Sequence, residues 1–329
     1  MELSNPFCHT MAILLAVLLV AAAATTEADG ALCDKSDKAA LLAVKSALGN
    51  PPALSVWNSS TPCCSWDGVS CDAITGRVTE LTVFALNISA PVPAAIANLT
   101  KLQILNLAYN QLYGPFPSFL GPRALPDLTF LRLDGNRLSG AIPPTATVFN
   151  LLLEGNLLTG TLPSTFGAAA FGEVGVAGNQ LSCSHSKHVS HVLARILCCH
   201  TLLPCAKPIQ TKCIHSKDKI IANSCDASML FGAKKKLNAL RLSRNRFAFD
   251  LGSVELPEGL DILVIDHNMV YGSIPPAAAA AGRKWLAFDV SYNQLCGPIP
   301  QGRYTHRFGA KHFAGNKCLC DRPLPPCSS

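Results

Sequence analysis

Two groupings in the sequence hold side chains that do chemistry in other proteins. Asp266 and His267 are adjacent and Asp289 follows 23 residues later. A fold that laid these segments side by side would gather two acids and a base, the elements of acid–base hydrolysis. Adjacent strands of any repetitive sheet bring polar side chains together in this way, so the pattern alone does not make an active site. Between residues 183 and 224, cysteine stands beside histidine or one residue from it in "CSH", "CCH" and "CIH". Thiolates and imidazoles bind zinc, but Cys198 next to Cys199, and the single residues before His185 and His215, do not give finger spacings. An inserted stretch or extra disulfides account for them better. No Gly-rich phosphate loop and no metalloprotease helix motif occurs. The expectation is a chain without catalysis, cofactor or metal.

What would position these residues is a repeat. "LQILNLAYNQLYGPFP", "LTFLRLDGNRLSGAIP", "VFNLLLEGNLLTGTLP", "LDILVIDHNMVYGSIP" and "WLAFDVSYNQLCGPIP" share the template LxxLxLxxNxLxGxIP, a leucine-rich repeat. Its asparagines are Asn110, Asn136, Asn156, Asn179, Asn245, Asn268 and Asn293, and "VTELTVFALNISAPVP" fits with Leu86 in that slot. The steps are 24, 26, 20, 23, 66, 23 and 25, of which one is anomalous. The LxL pair alternates inward on a short strand, and the asparagine side chain bonds the turn that follows. Successive strands pair in parallel, and the GxIP segment turns onto the convex side, where proline suits a backbone outside any ladder.

One unit cannot bury its apolar face alone, so the stack needs caps. The N-terminal cap spans 31–71, where "SDKAALLAVKSALGNPP" reads as a helix with Ser36 as N-cap and Gly49 and Pro51 as stop signals. Cys33, Cys63, Cys64 and Cys71 lie in this cap, with Trp57 and Trp66. Eight repeats fill 78–300, broken by the non-repeat stretch 183–224, and a Cys-rich C-terminal cap at 301–329 completes the set with Cys318, Cys320 and Cys327 beside Cys296. Eight cap cysteines pair without remainder.

The compartment follows from the first residues. Met11 to Ala24 is a 14-residue apolar run, so 1–24 reads as a signal peptide cleaved between about 24 and 30. The mature chain has no further span for a membrane. Secretion removes Cys8 with the signal, fits the remaining 14 of the 15 cysteines as disulfides, and exposes the N-x-[ST] sequons at Asn58, Asn87 and Asn98 to glycosylation. The net charge of +6 does not indicate a nucleic-acid partner, because 183–224 alone carries six Lys or Arg against Asp218, and elsewhere the signs are mixed.

The segments "WNSSTPCCSWDGVSC", "DASMLFG", "DVSYNQLCGPIPQG" and "NKCLCDRPLPPC" resemble the plant extracellular leucine-rich-repeat proteins, and more narrowly the polygalacturonase-inhibiting proteins. The resemblance covers about residues 31 to 329 apart from 183–224, with fewer repeats than is usual in that family. It implies an α/β fold, a right-handed solenoid with a parallel β-sheet on its concave face. It also implies disulfides Cys33 to Cys63, Cys64 to Cys71, Cys296 to Cys318 and Cys320 to Cys327. The implied setting is the plant cell wall, and the implied partner a microbial polygalacturonase, with pectin or a receptor ectodomain as further partners. Signalling and recognition modules share this fold, which does not choose between them.

In such a repeat the residues beside the LxL pair face the concave side. The candidate contact residues are Glu80 and Thr82, Asn106 and Tyr109, Arg132 and Asp134, Glu154, Arg241 and Arg244, Asp266 and His267, and Asp289 and Tyr292. Deleting 183–224 would join "NQLS" to "CDASMLFG" and shorten the long step to 24, which restores the repeat frame.

Overall fold

The LxL pairs set the architecture. In a computed structural model that describes residues 33–182, 226–303 and 307–327, both members of each pair are buried, as with Leu105 and Leu107 or Leu131 and Leu133. Eight short parallel strands, Val78–Thr82, Ile104–Asn106, Phe130–Arg132, Asn150–Leu152, Glu173–Gly175, Ala239–Arg241, Ile262–Val264 and Ala287–Asp289, pair in sequence order. Val69–Cys71 pairs antiparallel with the first of them and makes the sheet nine-stranded. The register places Leu81, Leu105, Leu131, Leu151, Val174, Leu240, Leu263 and Phe288 in one buried row. Val174 lies directly beside Leu240, so the ladder passes from residue 174 to 240 without a slip. The stretch 183–224 and the signal segment 1–24 lie outside the described residues.

The asparagines make the second row. Asn136 Nδ2 donates to the carbonyls of Leu107, Leu133 and Asp134, and its Oδ1 accepts from the Leu112 N–H. Each such side chain thus satisfies backbone groups of its own turn and of the preceding one. Asn316 in the C-terminal cap does the same, bonding Val290 and Phe313 and accepting from Leu295. The template missed it, because the leucines that mark the other turns are absent around it.

The proline-bearing segments differ from expectation. Tyr113–Pro115, Arg137–Ala141, Leu157–Gly160 and Gln180–Leu181 form a second parallel sheet, and Tyr271–Gly272, Gln294–Pro298 and Cys318–Cys320 a third. Pro115 and Pro298 are therefore in ladders after all. Each is the last residue of its strand, where the missing N–H costs least.

The longest helix among the described residues is the cap helix Lys35–Ala47, and short 3₁₀ turns occur elsewhere. Its N-cap is Asp34, not Ser36. The Asp34 carboxylate accepts from the N–H groups of Ser36 and Asp37, and the Ser36 hydroxyl donates to the same oxygen. Behind this turn, buried Asp37 receives Arg77 Nε at 2.9 Å, Arg77 Nη2 at 3.0 Å and the Val78 N–H at 2.8 Å, tying the cap to the first repeat strand. Trp57 and Trp66 stack at 5.5 Å between ring centroids. The disulfides are Cys33–Cys63, Cys64–Cys71, Cys296–Cys318 and Cys320–Cys327, the pairing that the resemblance implied. Among the described residues no helix is long and apolar enough to cross a membrane.

Candidate functional site

The open face of the nine-stranded sheet carries the candidate residues in three groups. In the N-terminal group, Arg132 Nε donates to Asp134 Oδ1 at 2.8 Å, and its guanidinium lies 5.7 Å from the Phe84 ring and 5.8 Å from that of Tyr109. Phe84 meets Tyr109 edge-on at 5.5 Å. Tyr109 has φ of 56°, and its ring lies so close over Gly135 that a Cβ there would stand 2.8 Å away. Phe84 is absent from the sequence-based candidates. It follows the LxL pair of the first repeat, a slot that is charged in some later turns, at Asp134, Glu154 and Asp266, but aromatic in none. Glu80 accepts from Thr82 Oγ1 at 3.2 Å, and Asn106 turns its Oδ1 back to the Ala108 N–H.

The central group holds two acids and two arginines. Glu173 pairs with Arg241. Glu154 lies half-buried with an Oε2 that has no hydrogen-bond partner among the described residues. Burial is the main force raising its carboxyl above the ordinary glutamate range. Asp134 and Glu173 push the same way, while its own backbone N–H and Arg241 oppose. Arg244 is exposed, with φ of 55°, and makes no ion pair among the described residues.

The C-terminal group brings Asp266, His267 and Tyr292 together. Asp266 accepts from the Ser243 hydroxyl and faces His267 Nδ1 at 2.8 Å. His267 stacks on Tyr292 with ring centroids 4.3 Å apart. Asp289 turns elsewhere, accepting from Ser291 Oγ at 2.6 Å and facing His312 Nδ1 at 2.8 Å. Both the hydroxyl and the imidazole are thus held by the Asp266 carboxylate, and no hydroxyl–imidazole bond of a nucleophile and its base is formed. The arrangement presents fixed polar and aromatic surface for contact. His312 comes from the C-terminal cap, where no repeat position announces it.

Cys33, Cys63 and Cys64 cluster closely, but their sulfurs are taken up by two disulfides. Of the three sequons, Asn87 and Asn98 are exposed, whereas Asn58 is half-buried and its Oδ1 accepts from the Ser60 N–H.

Residues 34–72 match the leucine rich repeat N-terminal domain, and residues 101–122 and 127–149 match the leucine rich repeat. Together with the stacked strands and asparagine row, these define a leucine-rich-repeat protein. Over 335 residues the chain is 36% identical to polygalacturonase inhibitor 2 of Arabidopsis thaliana, covering 97% of this chain and 98% of that one. It is 35% identical over 308 residues to the polygalacturonase inhibitor of Pyrus communis, covering 90% and 92%. The chain belongs to the polygalacturonase inhibitor family. Among solved structures it is similar to a plant ice-binding protein, with a TM-score of 0.52 and 28% identity over 90% of this chain and 99% of that one. It also resembles the leucine-rich-repeat ectodomain of an Arabidopsis thaliana membrane receptor kinase solved with Casparian strip integrity factor 2, with a TM-score of 0.51 and 26% identity, covering 73% of this chain and 24% of that one.

Proposed function

We propose that this chain is a secreted, non-catalytic protein of the plant cell wall that inhibits microbial polygalacturonases by laying the open face of its sheet over the enzyme's substrate cleft. The observation that carries this reading is the likeness to relatives named polygalacturonase inhibitors, which runs through both caps and nearly the whole chain. The geometry supports it physically. Side chains on a hydrogen-bonded parallel sheet lose little freedom on binding, so ordering costs subtract little from the contact energy. Tyr109, Tyr292, Arg132 and Arg241 are of the residue types that anchor protein interfaces. Exposed sequons at Asn87 and Asn98 fit a secreted chain.

The test is inhibition of a panel of fungal polygalacturonases by the purified protein. Loss of pectin cleavage with at least one enzyme at micromolar inhibitor is the expected result. Normal cleavage throughout would favour the second reading, a recognition module for a receptor or peptide. That reading draws on the similarity to a receptor-kinase ectodomain bound to its ligand.

A further inference from the structure

Arg283 lies away from the sheet face, between the 3₁₀ turn Pro276–Ala279 and the C-terminal cap. Its Nε donates to the Ala277 carbonyl at 3.1 Å, and its Nη1 to those of Pro257 and Leu260 at 3.1 and 2.8 Å. Its guanidinium lies 5.2 Å from the Trp285 ring. Carbonyl oxygens satisfy donors but carry no net charge. Among the described residues no carboxylate pairs with this cation, and its hydrogen bonds leave from Nε and Nη1, not Nη2. Burial alone pulls the pKa of this arginine below its ordinary value, with no neighbouring acid to oppose it. A half-buried guanidinium that carbonyls satisfy but no acid neutralises is a group open to an anion.

The same side chain lines a cavity of about 270 Å³. The other walls are Ala278 to Ala281, Gly302 and Arg303, so one arginine faces a space that a second borders and that small side chains leave open. No wall residue is acidic. Planar guanidinium groups take carboxylates through paired N–H bonds, a geometry that a point cation such as lysine does not offer. The space is below the range of about 300–1,000 Å³ that holds drug-sized ligands. It suits an acid of about monosaccharide size.

We propose that this cavity binds a small organic carboxylate, held between Arg283 Nη2 and the guanidinium of Arg303. The site is separate from the sheet face, so it and the inhibitory reading can fail independently. The experiment is saturation-transfer NMR on the full chain, with galacturonate as probe and galactose as a control of nearly the same shape without the charge. Arg303 is exposed, so Arg303→Ala leaves the fold in place. Arg283→Ala is less informative because it also removes a side-chain donor from three carbonyls, two of which keep a backbone N–H. Saturation transfer to galacturonate and not to galactose is expected, with affinity reduced about fivefold or more in Arg303→Ala, the loss of roughly one charge-assisted bond. Filling the space with Ala280→Phe should abolish the transfer. Equal transfer to both sugars, no transfer to galacturonate, or an unchanged affinity in Arg303→Ala overturns the proposal.

Discussion

Gly175 lies beneath the carboxyl of Glu154 so closely that a Cβ at that glycine would collide with the carboxylate. The missing side chain gives Glu154 its half-buried position in the middle of the sheet face, with Asp134 and Glu173 acting on it from neighbouring strands. Its folded pKa therefore lies above the unfolded value near 4.5.

A raised carboxyl pKa means that the native state binds more protons between the unfolded and folded values. Stability then falls as pH rises through that window and stays flat above it. Glu154→Gln keeps the shape, removes the ionisation and turns amide hydrogens toward Asp134 and Glu173. Its melting temperature should exceed the parent's at pH 7, by about 2 °C for each kcal/mol recovered. The advantage should vanish below about pH 4, where the parent carboxyl is protonated in both states. Thermal melts across this range decide it, and a constant difference at all pH values would mean that ionisation is not the cause.

Asn136→Ala tests the asparagine row. The substitution leaves the Leu112 N–H inside the stack without a partner and removes one of two amide donors from the Leu107 and Leu133 carbonyls, which keep Asn110 and Asn156. A loss of about 1–3 kcal/mol is expected from the unsatisfied N–H, read as a lower denaturant midpoint. An exposed change such as Ser164→Ala should move the midpoint by less than about 0.5 kcal/mol.

This row was legible in the sequence because one residue type recurs at a nearly fixed step, and the buried LxL row was legible for the same reason. What lacked a period was not. Asp37 and Arg77 are 40 residues apart and belong to different kinds of structure, so nothing local announces their pairing. The partner that draws Asp289 away from His267 is His312, which lies in the cap beyond the last template match. The burial of Glu154 depends on the absence of a side chain at Gly175, a relation across neighbouring strands that only the register reveals. The charged face positions could be named from the template, but their ion pairs depend on which side chains reach one another.

The cap should depend on that unannounced pair. Asp37→Asn keeps the volume but leaves the Arg77 guanidinium only one carboxylate contact, the longer one to Asp34 at 4.0 Å, and the helix start loosely tied to Val78. Removing one partner of a buried pair costs about 3–5 kcal/mol, and since Arg77 keeps some access to water, about 2–4 kcal/mol is expected. Hydrogen exchange would place the loss, with protection falling first in Lys35–Ala47 and Val78–Thr82. Uniform loss along all the strands would show instead that the cap and repeats unfold as one unit.

If the sheet face binds a polygalacturonase, Arg241 and Arg244 should contribute. Arg241→Ala with Arg244→Asn is the better pair, because Arg244 has φ of 55° and asparagine tolerates that backbone where alanine is strained. Inhibition should weaken at least about tenfold, in keeping with the loss of interface anchors. Ser164→Ala should leave it unchanged. Equal effects from both would mean that the sheet face is not the contact surface.

The last prediction concerns residues 183–224, whose removal shortens the step from Asn179 to Asn245 from 66 to 24, within the range of the other repeats. Structure on either side already joins as in neighbouring turns. Asn245 Nδ2 donates to the Val176 carbonyl, its Oδ1 accepts from the Leu181 N–H, and the Arg246 N–H donates to the Leu181 carbonyl. We therefore infer that the solenoid does not need the stretch for its register, and that it is an insertion into a complete repeat. Closing a loop eightfold longer than a short turn costs only about 2 kcal/mol, so the deleted protein should be equally stable or slightly more so. A larger gain should appear in secretion, since Cys183, Cys198, Cys199, Cys205 and Cys213 leave with the stretch and can no longer compete with the eight cap cysteines during oxidation. The comparison is yield, melting temperature and polygalacturonase inhibition for the full chain and the deletion, side by side. Unchanged inhibition with higher yield is the expected outcome. A deletion that folds with all four cap disulfides but no longer inhibits would instead make 183–224 part of the binding surface.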